Sequence, residues 1–284
     1  MIEIERQTLK KFAGKGFRAT FQLEPSLSEL YHENTKLSPM SSRAYGAWIG
    51  QVGSSSVLKS VMRQPYKVYT LMDQVALAST PPRNYLESQI AARRSIRTYT
   101  GESLSQEELA RLLFYSYGRT DKRLYYRAVP SGGALYPLEI YAVPLNVEGL
   151  ERGVYHYNVE HHCLDVVRRC DRLEEFKQSI WFEDIHIDDA AVLFLITAIF
   201  QRCTLKYQDR GYRMVLIEAG EVGQNMILEA TALGLGSCLV GGFHDDTVSE
   251  LLEIDGVNEA PLLPVVVGRV AAGEPAARNG EGSW

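Results

Sequence analysis

From Ala190 to Phe200 the chain reads AAVLFLITAIF, eleven residues with a single hydroxyl among them. A run this apolar and this rich in branched and aromatic side chains has no wet face, so it predicts a β-strand covered on both sides. Its length also admits a buried helix. Either way, the rest of the chain must supply a layer above it and a layer below.

The 284 residues, 45% of them hydrophobic, suffice for that. Ser105 followed by Glu108 forms a capping-box pattern ahead of LARLLFYSY, where Leu109, Leu112, Leu113 and Tyr117 recur at helical spacing. Gly118 is placed to close that helix in a left-handed conformation. LEIYAVPL reads as a strand, and VYHYNV and CLDVV as a hairpin turning at Glu160-His161-His162. A short helix is expected within 171–180 and a long one from Arg213 to Leu233. In the long one, Gly220 and Gly223 permit the close approach of another backbone. A short strand before VGGF, a helix at TVSELLEI and the strand LLPVVVGRV follow. Residues 85–94 look helical and give way to an extended Ser95–Tyr99. Three units result: short helices and irregular wrap over 1–85, ending at Pro81-Pro82; a main domain over 86–270; and a loose tail rich in Gly, Pro and Ala over 271–284.

Asp and Glu number 35 against 30 Lys and Arg, a net charge of -5, so nothing in the overall field attracts nucleic acid. No window reaches the roughly 18 apolar residues of a membrane span. MIEIERQTLKKF lacks the core of a signal peptide, and a cytoplasmic location is expected. Cys163, Cys170, Cys203 and Cys238 are scattered without a CxxC pair, which suits reduced thiols and no metal.

Four constellations carry chemistry. Arg93-Arg94-Ser95-Ile96-Arg97 concentrates three guanidinium groups and a hydroxyl, a cluster sized for phosphate; the same residues also suit a solvated helix end. Pro130-Ser131-Gly132-Gly133-Ala134 lets a planar ligand touch the main chain, although a Gly-Gly pair is equally a plain turn. Val240-Gly241-Gly242-Phe243 repeats that pattern, and two such pairs at strand ends suit one flat slot. Neither is a GxGxxG opening a helix in a βαβ unit, which disfavours a nicotinamide-binding Rossmann fold. Finally, Lys206-Tyr207 stands where the apolar strand is expected to end, before Arg210-Gly211-Tyr212-Arg213 turns into the long helix. Read alone, that pair is a snorkelling Lys and a packed Tyr.

Taken together, RRSIRTY at 93–99, VPSGGALYPLEIYAV at 129–143, GVYHYNVEHHCLDVV at 153–167, LKYQDRGYRMVLIEAGEVGQNMILEATALGLG at 205–236, VGGF at 240–243 and PVVVGR resemble the SagB-type dehydrogenases. These belong to the flavin-dependent nitroreductase superfamily and are akin to the microcin and cyanobactin azoline oxidases. YHENTK at 31–36 also looks like a segment of that group, so the resemblance runs over roughly 31–270.

The resemblance implies an α+β nitroreductase-like fold: a central, mostly antiparallel sheet flanked by helices, with an N-terminal helical extension. It implies a homodimer with non-covalent FMN at the interface. Arg93, Arg94, Ser95 and Arg97 would hold the phosphate, ribityl chain and pyrimidine edge. Pro130, Ser131, Gly132, Gly133 and Leu135 would line the passage of the ring, and Gly241 and Gly242 would face flavin N5. Arg269 or Arg278 would complete the phosphate site. The implied activity is oxidation of thiazolines or oxazolines to thiazoles or oxazoles in ribosomal peptide natural product biosynthesis, with hydride to flavin N5 and O2 reoxidising the flavin. Lys206 or Tyr207 would take the proton; that role needs an uncharged amine, which desolvation or nearby Arg210 or Arg213 would favour. Glu218, Gln224 and Asn225 are placed to reach the flavin or the dimer interface. The implied partners are an azoline-containing precursor peptide and a YcaO-type cyclodehydratase. Alternatives are an NAD(P)H-dependent nitro- or ene-reductase, an azoline oxidase of carrier-bound nonribosomal intermediates, or a flavin-free scaffolding subunit.

Overall fold

The apolar run does form a strand in the middle of a sheet. The computed structural model describes residues 25–62, 66–169, 172–181 and 184–271. Its six strands are β1 (Leu138–Pro144), β2 (Gly153–Asn158), β3 (Cys163–Arg169), β4 (Val192–Ile199), β5 (Leu235–Leu239) and β6 (Glu259–Arg269), in spatial order β3-β2-β1-β4-β6-β5. Every neighbouring pair is antiparallel. The predicted hairpin is β2–β3, with His161 and His162 in its turn.

Because side chains alternate along a strand, β4 supplies two cores at once. Phe194 and Ile196 pack on one side with α5 (Gln106–Tyr117) and α8 (Asp209–Ala232). Leu193 and Leu195 pack on the other with α6 (Leu173–Ser179) and α9 (Asp245–Leu252). α5 forms for the reasons its sequence shows: Ser105 and Glu108 make both arms of the capping box, and Leu109, Leu112, Leu113 and Tyr117 all point into the core. Each such burial is worth about 1.5–3 kcal/mol.

Three expectations are corrected. Gly118 is extended (φ −63°, ψ 161°), not left-handed. Its position excludes a side chain because a Cβ there would lie 2.5 Å from the Phe114 carbonyl oxygen. The glycines of α8 do not admit another backbone: a Cβ on Gly223 would meet the Leu263 side chain of β6 at 2.9 Å, so the helix presses on the sheet, while Gly220 faces open space. Lys206 and Tyr207 do not sit at a strand end. QRCTLKY is a short helix, α7 (Gln201–Tyr207), and α8 begins two residues later.

Ahead of the sheet lie α1 (Leu27–Thr35), α2 (Pro39–Ser54) and α3 (Ser56–Met62), then a stretch at 66–84 with neither helix nor strand, then α4 (Tyr85–Ala92). Ser26 and Ser38 cap the first two helices, their hydroxyl oxygens accepting from Glu29 N and Ser41 N. Residues 1–24, Cys170 and the tail from 272, with Arg278, lie outside the described residues. No helix among the described residues is long and apolar enough to cross a membrane.

Candidate active site

The registers bring the start of β1, the end of β4 and the start of β6 to one end of the sheet, and β5 runs out toward that same end. At this end the Ser131–Ala134 loop meets α7. Tyr136 N donates to Ser131 Oγ at 2.9 Å, and Ala134 N to the Ser131 carbonyl at 2.9 Å, closing a single 3-10 turn. Gly133 is left-handed (φ 71°), and so, at higher cost, are Ala134 (φ 55°) and Tyr136 (φ 46°). Non-glycine residues in that region cost roughly 1–2 kcal/mol each, so the loop is strained, as loops at functional sites tend to be.

What the loop faces is the Lys-Tyr pair. A Cβ built on Gly133 would stand 2.6 Å from the Tyr207 hydroxyl and 3.0 Å from Lys206 Nζ, and one on Gly132 would stand 3.0 Å from Met214 Sδ. Lys206 Nζ lies 5.1 Å from the Tyr207 ring centre. α7 is held at this place by a tight corner: Gln208 (φ 51°) breaks the helix, and Gly211 in the first turn of α8 lies so close that a Cβ would strike the Cys203 carbonyl at 2.9 Å. Lys206, Arg210 and Arg213 are exposed, so the fold of one chain does not itself desolvate Lys206.

Beneath the loop lies a buried polar group of residues. Tyr117 donates to Glu218 Oε1 at 2.9 Å and accepts from Leu138 N at 3.2 Å. Glu218 is 2% exposed, and its Oε2 has no hydrogen bond of ordinary geometry among the described residues. Burial pushes its carboxyl above the usual range against the opposing pull of Ser131, Tyr117 and Arg127. The Arg127 guanidinium lies 4.4 Å from the Tyr117 ring and 4.7 Å from Tyr136, with Nη1 buried and unpartnered among the described residues. Sequence reasoning singled out Glu218 but missed Tyr117 and Arg127. The available signal was position, since Glu218 falls on the stripe of Val215, Ala219 and Val222 that α8 buries.

The arginine segment runs elsewhere, along the outer edge of β5. Ile96 N donates to the Ser237 carbonyl at 2.9 Å, and Thr100 N to the Arg269 carbonyl at 3.0 Å. Arg93 and Arg97 are half-buried, while Arg94 and Ser95 are exposed. Arg94 donates to the carbonyls of Ala91 and Arg93, and no carboxylate pairs with any of the three guanidinium groups among the described residues. Arg269 differs: it donates to Ser103 O at 3.0 Å and to Glu108 Oε2 at 2.8 Å, so its side chain is already engaged at the start of α5. Gly241 is exposed with open space around it, and Gly242 O accepts from Trp181 N at 3.1 Å. Pro130 is exposed and Leu135 packs on the core. Gln224 is exposed, and Asn225 donates to Ala128 O at 3.3 Å.

Residues 90–269 match the family model described as the nitroreductase family. A protein of Methanocaldococcus jannaschii that carries the nitroreductase name is 43% identical over 187 residues, 65% of this chain and 90% of its own. The microcin B17-processing protein McbC of Escherichia coli is 31% identical over 171 residues, 59% of this chain and 63% of McbC. Among solved structures, a chain of the E. coli microcin synthetase McbBCD complex with truncated pro-MccB17 bound aligns with a TM-score of 0.58 at 26% identity, covering 88% of this chain and 99% of that one.

Proposed function

Since this chain belongs to the nitroreductase family, a family of flavin-using oxidoreductases, we propose that it is an FMN-dependent enzyme oxidising thiazoline or oxazoline rings of a precursor peptide to thiazoles or oxazoles. The observation that carries this reading is the convergence of Lys206 and Tyr207 on Gly133. An ordinary flavin reductase has no need of a base and a hydroxyl at one side-chain-free turn. The ring oxidase does, because aromatisation removes a hydride equivalent from one carbon and a proton from its neighbour.

The residues suit FMN on two counts. Gly241 has open space where a side chain would stand, and Arg93, Arg94 and Arg97 offer guanidinium groups not neutralised by a carboxylate among the described residues. Arg93, Arg94, Ser95 and Arg97 would hold the phosphate and ribityl chain, and Pro130, Ser131, Gly132, Gly133, Leu135, Gly241 and Gly242 would border the ring. Arg269 serves the phosphate only by leaving Glu108. When bound, the flavin supplies the hydride acceptor, with O2 as terminal oxidant. Lys206 takes up the proton at Nζ; Tyr207 orients the ring through a hydrogen bond from its hydroxyl to the azoline nitrogen. The strained Ser131–Tyr136 loop and the buried Glu218 below it keep the two residues and Gly133 in register.

Kinship with McbC and with a chain of a synthetase complex supports a precursor peptide and a YcaO-type cyclodehydratase as partners; two copies of the chain as the working unit rest on the family resemblance alone. Incubated with a thiazoline peptide, the yellow protein is expected to remove about 2 Da per ring, the mass of two hydrogens. Lys206→Ala is expected to lower that rate about 10²–10⁴-fold with the flavin absorbance band retained. Undiminished oxidation by the variant removes Lys206 from the mechanism. The 43% identity to the archaeal protein favours a second reading, an NAD(P)H-dependent reductase. Rapid anaerobic bleaching of the flavin by NADPH, without ring oxidation, would select it.

A further inference from the structure

A cavity of about 740 Å³ opens between α1, the α7–α8 corner and the start of β6. Its size lies within the roughly 300–1,000 Å³ of small-ligand sites. The walls are aromatic: Phe200 and Tyr212 stand 5.4 Å apart between ring centres, and His32 meets the Phe200 ring edge-on at 5.1 Å. Glu29, Glu33 and Asp209 border it and neither Lys nor Arg lines it among the described residues, a border that disfavours an anion such as a flavin phosphate or a dinucleotide.

One polar group in the wall is idle. His32 is 7% exposed and shares a hydrogen bond with the Tyr212 hydroxyl through Nδ1 at 3.2 Å, while Nε2 is buried with no partner among the described residues. Burial, with Lys36 nearby, lowers its pKa, so the ring stays neutral and Nε2 offers one donor or one acceptor. Aromatic walls and an acidic border suit an apolar or aromatic residue of a peptide, with neutral or basic neighbours.

The position of the cavity adds to this. Leu205 and Gln208 line it, whereas Lys206 and Tyr207 of the same short helix meet Gly133. A helix is about 10 Å across and an extended chain advances about 3.3 Å per residue, so roughly three or four residues of peptide reach from one side of α7 to the other. α1, which supplies His32, precedes residues 90–269, the part matched by the family model. The site is thus built partly from sequence that the family model leaves out.

We propose that this cavity is a specificity subsite that docks an apolar or aromatic residue of the peptide substrate, three or four positions from the ring being oxidised. This rests on the ring-oxidase reading, and two measurements keep the two apart. Leu205 is 68% exposed, so Leu205→Trp fills the mouth without disturbing the core. Thiazoline peptides carrying Phe, Lys or Asp at the docking position are compared with an N-acetyl thiazoline amide too short to reach the cavity. The expected result is a fall in kcat/KM of about tenfold or more for the Phe peptide in Leu205→Trp, carried by KM. The short amide is unchanged, and in the wild type the Asp peptide is the poorest of the three. An equal fall for the long and short substrates, or no fall for either, overturns the proposal. Ring-free peptides of the same three sequences are also titrated by fluorescence anisotropy. Loss of Phe-peptide binding in Leu205→Trp supports the subsite, and equal binding to both proteins refutes it, even if the wild type oxidises no thiazoline and the ring-oxidase reading itself fails.

Discussion

Gly133 has two reasons to be glycine, and they are separable. Its φ of 71° taxes any side chain, and the space where a Cβ would stand is held by Tyr207 Oη at 2.6 Å and Lys206 Nζ at 3.0 Å. Gly133→Ala is expected to lose about 1–2 kcal/mol of stability from the backbone, read in a urea titration. It is also expected to lose ring oxidation far beyond what that stability change explains, because the new methyl displaces both polar groups. A variant stable and fully active would show that the three groups do not work together. The Lys206-Tyr207 pair and the Gly132-Gly133 turn were both legible in the sequence as motifs. That they face each other was not, since Lys206 lies 73 positions after Gly133 and the long-range β1–β4 register brings them together. Glu218 was visible as a polar residue on an apolar helix, but its burial depends on Tyr117, a hundred and one residues earlier, which read simply as part of a core stripe.

At the level of elements, legibility followed local signals. α5 carries its own capping box, β4 its own unbroken apolar run, and both stand where the sequence indicates. α7 has no such signal. Its N-cap, Phe200, makes no side-chain cap and is already helical, and its end is a left-handed Gln208, a residue that gives no warning of a break. The tie between the extension and the main sheet was equally hidden. Leu37 N donates to Asp245 Oδ2 at 2.8 Å and Asp245 N returns a bond to Leu37 O at 3.1 Å, clamping the α1–α2 junction to the first turn of α9. Burial raises the Asp245 carboxyl from 3.8 to about 6. The folded chain therefore holds this proton more tightly than the unfolded one. Its contribution to stability is complete below pH 3.8 and is lost as pH rises through 6. Asp245→Asn keeps an acceptor for Leu37 and removes the charge. Its stability relative to the wild type is expected to climb between pH 4 and 7, by about 1–2 kcal/mol after allowance for solvent screening. Denaturant midpoints of the two proteins across that range measure it, and parallel curves would contradict it.

Across the whole molecule, the question is what the outer face of α8 is for. The helix buries Val215, Glu218 and Ala219 but leaves Leu216 40% and Ile217 63% exposed, on a chain whose net charge of -5 otherwise favours solubility. If two copies pair there, Ile217→Glu is expected to weaken self-association about 30-fold or more, the effect of losing a central apolar anchor. Sedimentation would then show monomer where the wild type shows dimer, and an unchanged profile would move the interface elsewhere. The sheet itself has two edges of different character. β3 leaves its outer backbone open but carries Asp165, Arg168 and Arg169, with Arg168 tied to Glu253 at 2.9 Å and Arg169 to Glu151. Charges of this kind discourage a stray strand from adding on. β5 has no charged residue at all, and what shields it is Ile96, whose N–H caps the Ser237 carbonyl. The residues between Arg93 and Arg97 therefore hold a second office as the cover strip of a bare, apolar edge. Proteins in which that strip lifts are open to polymerising edge to edge, and anything that pins it down also keeps the chain from fibre formation.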